Sequence, residues 1–126
     1  GEHSDDAGLL ADYVEQFDVF TELLQEDSGF YTHSIYSIFD QSPDTFWGRG
    51  NGWVAAAGYD HLRVRRNRGE AVESVTAALK RLVDAAIAAQ DADTGLHWTV
   101  LNRPGDSYLE TSAPALFAFG MAGIRD

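Results

Sequence analysis

Residues 113–124 read APALFAFGMAGI, without one charged or hydrogen-bonding side chain. A helix of that composition is apolar around its whole circumference, so it has to be buried on every side. Thr111 or Ser112 supplies a helix start, and Pro114 falls in the first turn, where its missing N–H costs nothing. A second segment of the same kind, WVAAAGY, lies at residues 53–59.

Two other segments are one-sided. Apolar residues recur at positions 9, 10, 13, 14, 17, 20, 23 and 24, with Asp12, Glu15, Asp18 and Glu22 largely off the stripe. Ser4, Asp5 or Asp6 is placed to cap that helix. A similar stripe runs through Val72, Val75, Leu79, Leu82, Val83, Ala86 and Ile87. The order is amphipathic, apolar, amphipathic, apolar. No βαβ alternation appears, and the apolar runs in the loops (30–38 and 98–101) are short. The fold class is therefore all-α.

The loops repeat as well. Asp27-Ser28-Gly29-Phe30 recurs as Asp93-Thr94-Gly95-Leu96, an offset of 66 residues, each time between an amphipathic and an apolar helix. The unit is a helical hairpin present twice, over about 7–68 and 69–126, within a single domain 1–126. Amphipathic helices outside and apolar helices inside suit a ring of hairpins. Four helices are too few to close one, so a monomer should expose part of 53–59 or 113–124. The missing cover is expected from more chain or from further copies in a homo-oligomer.

At 126 residues the chain has the length of one globular domain. A formal charge of −11 repels a phosphate backbone, so nucleic acid is an unsuitable partner. Cysteine is absent, which removes disulfides, thiolate catalysis and thiolate-bound zinc. No span reaches the ~18 apolar residues of a membrane helix, and the start GEHSDD lacks a basic, then apolar, export signal. No membrane partner is expected, and the cytoplasm is the favoured compartment.

The stretch FWGRGNGW, residues 46–53, carries the chemistry. Indole faces suit the C–H faces of a pyranose, and a guanidinium forks onto a carboxylate. Glycines 48, 50 and 52 allow a tight turn and close approach to a ligand. No strand precedes the stretch and no Lys follows it as in a phosphate loop. Arg49 also has a scaffold reading, as a clamp for helix ends or for Glu110, and Trp53 is as suited to the core as to a pocket. Tyr108 and Glu110, at the opening of the last helix, read as scaffold. The arginines at 63, 65, 66 and 68 read as a solvated helix end. Asp91, Asp93 and Gly95 echo a calcium loop, but no Glu closes it, and a helix-ending turn is the better reading. His3, His61 and His97 show no mutual ligand spacing, so neither metal nor cofactor is expected.

Taken in order, DSGFYTH, FWGRGNGW, QDADTGLHWTVLNRPGDSYLETSA and ALFAFGMAGI resemble the central part of the unsaturated glucuronyl and rhamnogalacturonyl hydrolases, glycoside hydrolase families 88 and 105. The resemblance runs from about Ala11 onward. It implies about a third of an (α/α)6 barrel, and an activity that removes a terminal unsaturated uronate from pectin or glycosaminoglycan oligosaccharides. In that chemistry an aspartic acid protonates the vinyl ether, its carboxylate activates water, and the resulting hemiketal falls apart, unlike the paired-carboxylate displacement of most glycosidases. Carried over by position, the resemblance makes His33, Trp47, Arg49, Asn51 and Trp53 substrate-binding. The family's general acid lies in a Trp, Val, Asp string before the first helix, and nothing in these residues matches it, so the catalytic residue is unassigned. Alone, the chain should bind weakly and turn over poorly or not at all. His97 precedes Trp98 where the family has the reverse order, which leaves His97 without a role. The alternative is a non-catalytic helical module for sugar binding or oligomerisation.

Overall fold

The computed structural model describes residues 7–35 and 44–125. Four helices are found there: α1 (Ala7–Leu24), α2 (Gly48–Asn67), α3 (Glu73–Ala88) and α4 (Ser112–Arg125). Between α3 and α4 lies a small antiparallel pair, β1 (His97–Trp98) and β2 (Leu109–Glu110), with His97 opposite Glu110. Single bridges join Trp47 to Val100, Gln25 to Tyr31 and Gln90 to His97. These pairings are too short to show a two-residue period in sequence. The capping residues expected before α1 lie outside the described residues. No helix among the described residues is long and apolar enough to cross a membrane.

The two apolar helices are the inner pair. Glycines and alanines bring their backbones together: a Cβ on Gly120 would stand 2.7 Å from the carbonyl oxygen of Ala55, and one on Gly52 would stand 2.9 Å from Leu116 Cβ. Phe117 of α4, with Ala55, Leu82, Ala86, Leu101 and Ala113, forms a buried core joined by Phe30 and Tyr31 from the first loop. A second cluster of Leu62, Val75 and Leu79 sits farther along α2 and α3, where a Cβ on Gly58 would stand 2.3 Å from Leu79.

Burial around the full circumference does not hold, as the expected exposure of a lone set of four helices requires. Trp53 is 60% exposed and Phe119 47%. The stripe of α1 is less covered than its pattern implies, with Phe20 54% exposed beside exposed Leu9, Val19 and Leu23. Val14, Phe17, Thr21 and Leu24 are the partly buried α1 residues among those described.

The loop repeat is real in three dimensions. Gly29 and Gly95 both have positive φ, +91° and +71°. Glu26 N–H donates to the Phe30 carbonyl as Asp91 N–H donates to that of Leu96, and Gln25 and Gln90 each donate a side-chain amide to the glycine carbonyl. Asp91 accepts from Thr94 N–H and Oγ1, the helix-ending turn expected there. No group of three His, Asp or Glu side chains able to hold a metal is found among the described residues.

Candidate functional site

The first turns of α2 bring most of the sequence-selected residues together, starting at Gly48. The glycines do not make the tight turn anticipated for them: positions 48, 50 and 52 are helical, and positive φ occurs instead at Gly29, Gly69, Gly95 and Gly105. Their use is close approach within the protein. A Cβ on Gly50 would stand 2.7 Å from the Trp47 ring, and one on Gly48 would stand 2.8 Å from the Trp98 carbonyl oxygen.

With no Cβ at Gly50, the Trp47 indole lies back along the helix start. Its ring meets the exposed imidazole of His33 edge to face at 5.7 Å, and Arg49 Cζ lies over it, 5.3 Å from its centroid. Both are geometries an indole favours with such neighbours. Arg49 Nη1 also stands 3.6 Å from Glu110 Oε2, which accepts a 2.8 Å hydrogen bond from Ser112 Oγ. His33, Trp47, Arg49 and Glu110 thus form one continuous arc at the starts of α2 and α4. Ser112 begins α4 as anticipated, but its hydroxyl serves Glu110.

Asn51 is tied into the backbone beside this arc. Buried, it donates from Nδ2 to the carbonyls of Tyr31 (3.0 Å) and Trp47 (3.1 Å) and accepts from Tyr31 N–H at 2.7 Å. Both amide hydrogens are spent on the backbone, so Asn51 staples the loop that carries His33 onto α2. Trp53 lies on the Arg49 face of α2, one turn on. It is 60% exposed, outside the core that the described residues form, and has no aromatic partner among them.

Beside this arc a groove of about 290 Å³ opens between α1 and α2, walled by Phe17, Phe20, Leu24, Val54, His33 and Trp47. It is mostly apolar, and Arg49 is not among the residues that wall it.

Two histidines prove structural. His97 is buried against Phe117, with Nε2 2.9 Å from the Ala86 carbonyl oxygen. His61 is fully buried, stacked on Phe17 at 4.6 Å and tilted against Tyr13 at 5.0 Å, with neither ring nitrogen partnered among the described residues. That burial, helped by Arg65, lowers its pKa below the ordinary imidazole value, while Asp18 and Glu70 pull the other way. Position 61 lies two residues past the apolar segment 53–59, and no sequence pattern singled it out for burial. The arginine run is less solvated than expected: Arg65 faces Asp18 and Glu70 at 3.8 Å each, and Arg66 donates to the Gly123 carbonyl.

The family model for Glycosyl Hydrolase Family 88 matches residues 1–126. Among solved structures, the fold is similar to that of a glycoside hydrolase from family 105 of C. acetobutylicum ATCC 824, with a TM-score of 0.78 and 22% identity over 94% of this chain. The match takes in 36% of that protein, so the chain spans about a third of its length. No curated protein matches. The helices are an all-α part of such a barrel.

Proposed function

The chain belongs to glycosyl hydrolase family 88, and from that premise we propose that the arc of His33, Trp47 and Arg49, with Trp53 one turn away, receives the terminal unsaturated uronate of a pectin or glycosaminoglycan oligosaccharide. The observation that carries this reading is Arg49 held against the Trp47 face at 5.3 Å, with no hydrogen bond of its own among the described residues. Its N–H donors are available to a carboxylate, while the indole offers a flat apolar surface to the sugar ring. His33, edge to face with Trp47, adds a group that can donate or accept a hydrogen bond. These residues bind and orient. The chemistry they serve is protonation of the C4=C5 vinyl ether and addition of water at C5, giving a hemiketal that opens and releases the shortened oligosaccharide.

Tryptophan fluorescence during titration with an unsaturated galacturonyl disaccharide tests this, with the ultraviolet absorbance of the double bond followed in the same samples. A saturable signal is expected, weakened at least about tenfold in Arg49→Ala, the scale of a lost charge-assisted pair. Equal affinity for the disaccharide and for its methyl ester would remove the carboxylate clamp. Loss of absorbance that Arg49→Ala abolishes would show turnover by this chain; unchanged absorbance with intact binding would leave a binding site alone.

A further inference from the structure

Glu110 lies where the starts of two helices meet. Its backbone is held by pairing with His97 across β1 and β2, and α4 begins two residues later. The side chain is 6% exposed, against 43% for Arg49. Oε2 serves Ser112 and faces Arg49, while Oε1 is buried with no hydrogen-bond partner among the described residues. Holding a buried carboxylate oxygen without a protein partner costs free energy, and most buried polar atoms that serve only the scaffold have such a partner. Gly48 permits the arrangement, since a Cβ there would stand 3.1 Å from Oε1. What this costly placement achieves is a fixed negative charge directly behind the guanidinium that lies against Trp47.

We infer that Glu110 is a positioning residue that anchors Arg49 from the protein side and leaves the remaining N–H donors of its guanidinium free for a ligand carboxylate. At 3.6 Å the contact is an ion pair too long to count as a strong hydrogen bond, so it steers the guanidinium without using up the donors a ligand needs. With Glu110 neutralised, the long Arg49 side chain regains its rotamers and an entering carboxylate has to bear the cost of ordering it, which weakens binding by about three- to tenfold. The ligand in this inference rests on the uronate reading, whereas the anchoring does not.

Nuclear magnetic resonance of the Arg49 Nε–H group, identified by its loss in Arg49→Lys, reads the anchoring without any ligand; galacturonic acid and its methyl ester are then the binding probes. Expected in Glu110→Gln is an Arg49 group as mobile as a freely exposed arginine, weaker binding of the acid, unchanged binding of the ester, and no further loss when combined with Arg49→Ala. Glu110→Asp, which keeps the charge but draws it back by one methylene, should give intermediate order, and it decides the matter if Glu110→Gln does not fold. Arg49 equally ordered in wild type and both variants overturns the inference. Equal weakening of acid and ester, or a full additional loss in the Arg49→Ala background, also overturns it. A wild-type chain that binds neither probe, but whose Arg49 is released by Glu110→Gln, removes the uronate reading and upholds the anchoring.

Discussion

Asn51 shows how a residue of a binding string can spend its amide hydrogens inside the protein. Its amide meets the N–H and the carbonyl of Tyr31 together, and the Trp47 carbonyl as well. Asn51→Ala leaves two buried backbone groups unpaired and should cost about 1–3 kcal/mol of stability. Sugar affinity should fall too, because the loop bearing His33 loses its hold on α2. Asn51→Asp should be at least as damaging, since a carboxylate would face two carbonyl oxygens. Urea unfolding midpoints measured beside fluorescence titrations check this. An Asn51→Ala protein of wild-type stability that no longer binds would return the amide to the ligand and count against the staple. The neighbouring string FWGRGNGW was legible as a site from its indoles and guanidinium, but helix or turn could not be told from its glycines alone. The structure gives both answers: Gly48 and Gly50 are helical, and they are glycine because Trp98, Glu110 and the Trp47 ring occupy the space a side chain would need.

Between elements, the repeated turns allow a controlled comparison. Gly29 and Gly95 hold equivalent positions at positive φ, yet a Cβ at Gly29 would stand 2.5 Å from the Arg81 carbonyl oxygen, whereas nothing lies within 4 Å of one at Gly95. Gly95→Ala should therefore cost about 1 kcal/mol, from backbone strain alone. Gly29→Ala should cost roughly 2–4 kcal/mol, because the loop must also move off α3. Equal losses in thermal or urea unfolding would show that the first loop does not rest on α3 as described. The contact of α1 with α2 supplies a pH test. Tyr13 and Phe17 of α1 cover the imidazole of His61, whose pKa is lowered chiefly by burial. The unfolded chain, with an imidazole pKa of about 6.5, takes up the proton more readily than the folded one. The stability tied to neutral His61 is thus complete above about pH 6.5 and is lost as pH falls through the lowered folded value. His61→Leu should flatten that part of the stability profile relative to wild type, leaving the carboxylate contribution below it. Parallel profiles for the two proteins between pH 5 and 7 would show that His61 carries no such linkage.

At the scale of the molecule, helix order and type were legible because hydrophobic period and composition differ sharply between APALFAFGMAGI and the one-sided α1 and α3. The burial of α1 was not legible, since a stripe announces a face to be covered and says nothing of what covers it. Phe20 (54% exposed) on the α1 edge and Ile87 (54%) on the α3 edge make the consequence concrete. One edge carries the groove walled by Phe17, Phe20, Leu24 and Val54; the other carries a second one with Val83, Ile87, Met121 and Ile124. Inside the chain, the inner helices α2 and α4 are already packed side by side through small residues. The same step taken between copies would set the α3–α4 edge of one against the α1–α2 edge of the next, a head-to-tail contact. Apolar edges left in water favour such association at about 25 cal/mol per Å² buried. For this chain at micromolar concentration we expect a light-scattering mass that rises with concentration and an apolar dye that binds at low concentration and is displaced as the mass grows. Phe20→Glu and Ile87→Glu, on opposite edges, should each suppress association, and neither should unfold the chain, because both side chains are already exposed. A clean monomer with no dye binding would mean that these edges are covered within one chain in solution, and the contact between copies would then have nothing to drive it.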